Sequence, residues 1–194
     1  MNNTGTSIKR RGTANDVFFT PLPVAKRMIE MCDITPDMTV LDPCYGGGVF
    51  YENLPECKKE FCEITMGKDF FDETRRFDLI IGNPPYSIWN EWIEHTTSLT
   101  DKFCFIFGYM NFSSHRFCSL LDKGYGITKM HLVTIDWWFS QSWIIVFEKN
   151  KPSIITVEPQ RIYCDICNTR CKRGNKAFGP NICSKQKSSP IINA

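Results

Sequence analysis

"FDLIIGNPPYSIW", residues 77–89, joins two halves that obey different rules. Leu79-Ile80-Ile81 is a continuous apolar run of the kind that fills a strand buried on both faces. Past Gly82 the chain meets Asn83-Pro84-Pro85-Tyr86, and two prolines cannot continue a paired strand because neither has an amide proton to donate. The stretch predicts a buried strand over 77–82 that ends in a rigid turn carrying an asparagine and a tyrosine. In an open α/β sheet, such strand ends are where ligand-binding groups collect.

Working outward, strand-like and helix-like segments alternate. A helix is expected to start near Thr20-Pro21, with the threonine as cap and the proline in the first turn. Its apolar residues Val24, Met28 and Met31 have helical spacing. Strands are expected at 38–42 (MTVLD), 60–64 (EFCEI), 77–82 and 102–109 (KFCFIFGY). A brief helix is expected near Phe50. Residues 88–97 (IWNEWIEHTT) form a helix with Ile88, Trp92 and His95 on one side and Trp89, Ile93 and Thr96 beside it. Another helix covers about Phe112 to Lys123. The segments 127–136 and 142–149 read most simply as a hairpin joined through Trp137-Trp138-Phe139. The whole is an α/β fold: a mainly parallel sheet closed by a C-terminal antiparallel pair. Residues 1–15 are a polar, flexible arm, 16–150 the main domain, and 151–194 a small Cys-rich basic appendage.

The second informative stretch is "VLDPCYGGGVF", residues 40–50. Asp42 sits at a strand end, followed by Pro43 and by Gly46-Gly47-Gly48 at a helix entry. Glycines there let the backbone approach a ligand closely. Glu63 follows Asp42 by 21 residues, about the distance at which a carboxylate grips a nucleoside's ribose hydroxyls. Asp69 and Phe70 come next, an acceptor for an adenine amino group and a ring to lie against the base. A solvated charge for Glu63 and an ordinary core ring for Phe70 are the plainer readings. The loop lacks Gly-Lys-Ser/Thr, which disfavours a triphosphate-cradling loop.

Together, "DPCYGGG", "NPPY" and the upstream "FFTPLPVAKRM" resemble the S-adenosylmethionine-dependent adenine-N6 DNA methyltransferases of the Asn-Pro-Pro-Tyr type. The resemblance covers roughly residues 17–148, with the motifs in the order used by gamma-type members. It implies a Rossmann-like class I methyltransferase fold. It implies S-adenosylmethionine contacts from Phe19, Thr20, Asp42, Pro43, Gly46 and Gly48, ribose contact from Glu63, and adenine contact from Asp69 and Phe70. Asn83, Pro84, Pro85 and Tyr86 then form the catalytic motif. Adenine's exocyclic amine is a poor nucleophile because its lone pair is delocalised into the ring. The Asn83 side-chain oxygen and the Pro84 carbonyl would grip both N–H bonds and favour a pyramidal nitrogen. The prolines hold those acceptors still, and Tyr86 would stack on a base turned out of its helix. The chain departs from the family at Tyr45, which is bulky, and at Gly47, which replaces a Ser/Thr. It also leaves little room for a helix between the second and third strands.

The tail reads differently. The chain's formal charge is +2, but residues 149–194 carry +7 and residues 1–148 carry −5. A phosphate-bearing partner and a merely solvated basic tail both fit. Four of the ten cysteines, Cys164, Cys167, Cys171 and Cys183, crowd into this segment. Cys164-x2-Cys167 is a zinc-knuckle pair, so a structural Zn2+ site is one reading, with free thiols or a redox pair as the alternatives. The other six are scattered singly, as small buried hydrophobes are. The N-terminus lacks a signal-peptide core and the sequence lacks a run of about 18 apolar residues. The expectation is a reducing, cytosolic or nuclear-type compartment, no membrane partner, and no secretion.

Four functions compete: adenine-N6 methylation of DNA, the same chemistry on RNA, N5-glutamine methylation of a protein, and a non-enzymatic nucleic-acid-binding module. Nucleic acid is the expected partner, DNA ahead of RNA. The glutamine enzymes tend to carry an Asp-Leu-Gly-type cofactor loop, whereas this chain has Asp42-Pro43.

Overall fold

The computed structural model describes residues 18–111, 113–135 and 141–155. Helix α1 (Leu22–Glu30) leads into strand β1 (Thr39–Asp42), then β2 (Lys58–Phe61) and β3 (Leu79–Gly82). Helix α2 (Trp89–Leu99), β4 (Lys102–Gly108), α3 (Ser114–Asp122), β5 (Tyr125–Val133) and β6 (Ser142–Lys149) complete the order. The six strands form one sheet in the order β2-β1-β3-β4-β6-β5. The pairs β1–β2, β1–β3 and β3–β4 are parallel, while β6 runs antiparallel to both β4 and β5. The expected α/β sheet with a C-terminal antiparallel pair is therefore what the chain builds.

Alternation along the strands sorts the core into two layers. Phe103, Phe105 and Phe107 of β4 face one side with Ile145 and Phe147 of β6, where Trp89 and Trp92 of α2 and Phe117 of α3 cover them. Cys104, Ile106, Ile144 and Val146 face the other side, with Leu79 and Ile81, beneath Val24, Ala25 and Met28 of α1. Helices on both faces leave the two ends of the sheet as the places where polar groups can gather. Among the described residues no helix is long and apolar enough to cross a membrane.

Three local expectations shift. Pro21, not Thr20, occupies the N-cap of α1. With Pro21 extended at ψ 143°, its carbonyl accepts from the amides of Val24 and Ala25, and the Thr20 hydroxyl lies one residue too early to reach the first turn. The second strand is Lys58–Phe61 rather than 60–64. It is an edge strand, and its charged Lys58, Lys59 and Glu60 protect that edge while hiding the strand from an apolar search. Glu63 therefore lies just past the strand rather than ending it. The brief helix near Phe50 is a three-residue 3-10 turn, Tyr51–Asn53. Between β2 and β3 there are only two such turns, Ile64–Met66 and Phe70–Asp72, as the short spacing led one to expect.

Candidate active site

The sheet order puts β1 between β2 and β3, so chain segments leaving the carboxyl ends of β1 and β3 diverge to opposite sides. A crevice at such a switch point is the usual ligand site of an open α/β sheet. Asp42 is the last residue of β1 and Gly82 the last of β3, so both sequence motifs open onto this edge. Gly82 lets them meet: a Cβ there would stand 3.0 Å from Pro43 Cδ. The Cys44 thiol donates to the Asn83 carbonyl at 3.2 Å, a direct link between the glycine loop and the Asn-Pro-Pro-Tyr turn.

The third motif arrives from the N-terminal side. The Asn83 side-chain amide donates to the Phe18 carbonyl at 2.9 Å, and the Phe19 ring lies 3.4 Å from where a Gly47 Cβ would be. Phe19 is otherwise 66% exposed. Gly46 and Gly48 both have positive φ, 52° and 75°, a region costly for other residues. At Gly48 a side chain would also collide with the Tyr45 ring, 2.5 Å from its hydroxyl. That explains the bulky Tyr45: its ring leans outward onto Tyr51 and Phe61, at centroid distances of 5.9 and 4.7 Å, and its hydroxyl donates to Glu52 at 3.0 Å.

Asp42 is fully buried, and its two carboxylate oxygens differ. Oδ1 accepts from the Cys44 amide at 3.2 Å; Oδ2 has no hydrogen-bond partner among the described residues. Burial pushes its pKa up to about 7, with help from the charge of Glu63. The Cys44 amide opposes this, as does the Tyr51 amide, which lies near the carboxylate but makes no hydrogen bond of good geometry to Oδ2. Burial, with the neighbouring Asp42 charge, raises the Cys44 thiol well above its ordinary range, so it is a hydrogen-bond donor rather than a thiolate. Burial also works to raise the pKa of Glu63, but the amides of Thr65 and Gly46 and the Thr65 hydroxyl outweigh it and leave the carboxyl below its usual range. One Glu63 oxygen accepts from Gly46 N–H at 3.0 Å and the other from Thr65, so the residue also braces the glycine loop.

Asp69 caps the turn Phe70–Asp72, accepting from Phe71 N–H at 3.0 Å. Phe70 is 3% exposed, packed on Trp92 and His95 at 4.4 and 4.8 Å between centroids. Its ring belongs to the core, which is the plainer of the two readings of that residue. The Phe70 carbonyl is held by His95 Nε2 at 2.8 Å, a tie from α2 that residue spacing did not suggest. In the Asn-Pro-Pro-Tyr turn Pro84 is buried and Tyr86 half-buried. The Tyr86 hydroxyl lies 2.9 Å from both Asn83 Oδ1 and the Ile106 carbonyl.

The structure thus brings together Phe19, Asp42, Pro43, Gly46, Gly48, Glu63, Asn83 and Tyr86, with Thr20 buried beside them on the N-terminal segment. It adds Cys44 and the carbonyls of Phe18 and Ile106. Those two carbonyls were beyond sequence reasoning, since a backbone acceptor leaves no mark on residue type. Cys164, Cys167, Cys171 and Cys183 lie outside the described residues, as do Trp137, Trp138 and Phe139. Among the described residues no group of three or more His, Cys, Asp or Glu could hold a metal ion.

Solved structures with the same architecture include a protein described as the modification subunit of a type I restriction enzyme from Vibrio vulnificus YJ016. It matches at a TM-score of 0.54 and 16% identity, over 76% of this chain and 48% of that one, so this chain spans about half its length. The 23S rRNA methyltransferase ErmE matches at 0.52 and 13% identity, over 72% of each chain. Precorrin-6y C5,15-methyltransferase from Geobacter metallireducens GS-15 matches at 0.54 and 12%, over 68% of this chain and 90% of that one. The fold is the Rossmann-like methyltransferase fold. At these identities the likeness concerns fold; proteins named for RNA and for a small molecule share it, so substrate must be argued from the site. No protein-family model and no curated protein matches the sequence.

Proposed function

We propose that this chain methylates the exocyclic N6 of adenine in DNA, using S-adenosylmethionine, by direct displacement on a base turned out of its helix. The observation that carries the reading is the meeting of three motifs at one switch point, with the Cys44 thiol on the Asn83 carbonyl and the Asn83 amide on Phe18. The residues fit the cofactor on two counts. Asp42 Oδ2 is a buried acceptor without a donor, and the Gly46–Gly48 backbone follows conformations that keep the loop free of side chains. Thr20 and Asp42 would hold the methionine part, with Phe19, Pro43, Gly46 and Gly48 also against the cofactor, Glu63 at the ribose and Asp69 on the adenine side. When bound, the cofactor supplies a sulfonium-activated methyl group with a good leaving group.

The protein's own contribution is positioning and fixed dipoles. Asn83 Oδ1 and the Pro84 carbonyl accept the two N–H bonds of the amine, so its lone pair is drawn out of conjugation. Prolines 84 and 85 hold those acceptors, and the proton lost from nitrogen leaves along one of the two hydrogen bonds toward solvent. Half-buried Tyr86 offers its ring to the base. The basic segment 149–194 supplies charge for the phosphate backbone, and we include in the proposal a four-thiolate zinc site at Cys164, Cys167, Cys171 and Cys183, checked by metal content of the purified protein.

The test is transfer of labelled methyl from S-adenosylmethionine to DNA and RNA oligonucleotides, followed by digestion to nucleosides. N6-methyladenine from DNA, lost in Asn83→Ala, is the expected result. Product from RNA alone would replace the substrate and keep the chemistry. Transfer to neither, with the cofactor bound, would overturn the nucleic-acid reading in favour of a protein substrate.

A further inference from the structure

The Asn83 side chain is held at both ends by groups that fix which way its amide points. The Phe18 carbonyl can only accept, so the atom 2.9 Å from it must be the NH2 group. Oδ1 is thereby turned toward the Tyr86 hydroxyl, also at 2.9 Å. That hydroxyl faces a second acceptor at the same distance, the Ile106 carbonyl of β4. A phenol has one proton to give, so two oxygens compete for it.

We infer that Phe18 and Tyr86 form an orienting clamp, in which the Tyr86 hydroxyl is a positioning group for Asn83 over and above any contact its ring makes with a base. The inference rests on the proposed adenine chemistry for its consequence, though not for its geometry. The clamp keeps an acceptor, rather than the NH2 donor, aimed at the substrate position. This selects an amine and rejects a carbonyl in the same place, because two facing oxygens with no proton between them repel. An amide oxygen has two lone pairs, so Oδ1 can accept an amine N–H on one while the Tyr86 hydroxyl holds the other. The clamp therefore stays in place as the substrate binds, without Tyr86 having to move.

The clamp also makes a demand on residue type. A carboxylate in place of the Asn83 amide would set an anionic oxygen against the Phe18 carbonyl. Asn83→Asp should therefore fail although it keeps the side chain's size and an acceptor oxygen. Tyr86→Phe removes only the hydroxyl and keeps the ring.

Two measurements test this. The first needs no substrate: NMR of the Asn83 side-chain NH2 in 15N-labelled protein. In the native chain its protons should exchange slowly with solvent and its order should match the backbone; in Tyr86→Phe the order should drop. Equal order in the two proteins would overturn the clamp, whatever the enzyme's substrate. The second is steady-state methyl transfer, with thermal unfolding confirming that each variant is folded. Tyr86→Phe should lower kcat about tenfold, the worth of one hydrogen bond, with the KM for cofactor unchanged. Asn83→Asp should lose activity at native-like stability. Full activity in Asn83→Asp would overturn the clamp while leaving the adenine reading intact. Absence of adenine methylation by the native chain would instead strike that reading and leave the NMR result to decide the clamp.

Discussion

One half of the sheet is built for strength and the other for approach. Strands β4, β6 and β5 run for seven to nine residues and pair along their lengths. Behind them Phe147 stacks on Phe103 and Phe117, both at an interplanar angle of 19°, with centroids 4.8 and 5.6 Å away. Strands β1, β2 and β3 have four residues each, and β1 matches β3 at only two positions. The short half carries Asp42, the glycine loop, Glu63 and the Asn83–Tyr86 turn, and from the long half only the Ile106 carbonyl has been placed among them. Short parallel strands end early, and their ends leave polar turns free to meet; the long antiparallel strands use their backbone polar groups along paired edges. The difference teaches that the site depends on the long half for a stable platform, and that damage to each half should read out differently.

The largest effect is expected in the strong half. Phe147→Ala removes the middle ring of the stack and should cost about 3–5 kcal/mol of stability. The melting temperature should fall steeply, while activity per folded molecule at low temperature stays near native. A loss of activity exceeding the loss of folded protein would break the division between halves.

Asp42 offers the next largest effect, and its sign is unusual for a carboxylate. Its folded pKa of about 7 lies above the ordinary 3.8, so the folded protein keeps a proton that the unfolded chain has lost between those values. Stability without ligand should fall as pH rises from about 4 to 7, by at most about 4 kcal/mol for a shift of this size. Asp42→Asn should flatten that slope and melt higher than native protein at pH 8, yet bind S-adenosylmethionine poorly. A native slope in the variant would show that Asp42 is not the group responsible.

In the short half, Asn83→Ala removes an acceptor and its partners at once. Methyl transfer should drop by about 100- to 1,000-fold, the usual worth of a fixed dipole at a reacting centre, with a melting temperature close to native. The smallest expected effect is at the loop. Gly48→Ala places a side chain at φ 75° against Tyr45, which should cost about 1–2 kcal/mol and weaken cofactor binding by calorimetry. Pairing it with Tyr45→Ala should recover the part due to collision and leave the part due to backbone strain.

Much of this was readable in residue order. The buried runs of β1, β3, β4 and β6 announced themselves by composition, and α1 and α2 by spacing, because those signals are local and the elements are buried. Lys58–Phe61 begins two residues and ends three residues before the expected 60–64, since an edge strand carries charges where a buried one carries apolar residues. The Thr20 cap was misplaced because the torsion at Pro21 decides which carbonyl meets the first turn. Phe70 had two readings, and only packing against Trp92 and His95 chose between them.

Sequence by itself determined the strand that stops at Asn83, the torsions its prolines impose, the glycines that need positive φ, and hence the kind of chemistry to look for. Those are properties of a residue and its immediate neighbours. Tertiary structure decided the rest: that Asp42 is buried with one oxygen lacking a donor, that Cys44 reaches Asn83, and that Phe18 and Ile106 supply the carbonyls around it. The reason is physical. Burial and hydrogen-bond partners depend on which distant segments are brought side by side, and every residue type has the same backbone carbonyl to offer.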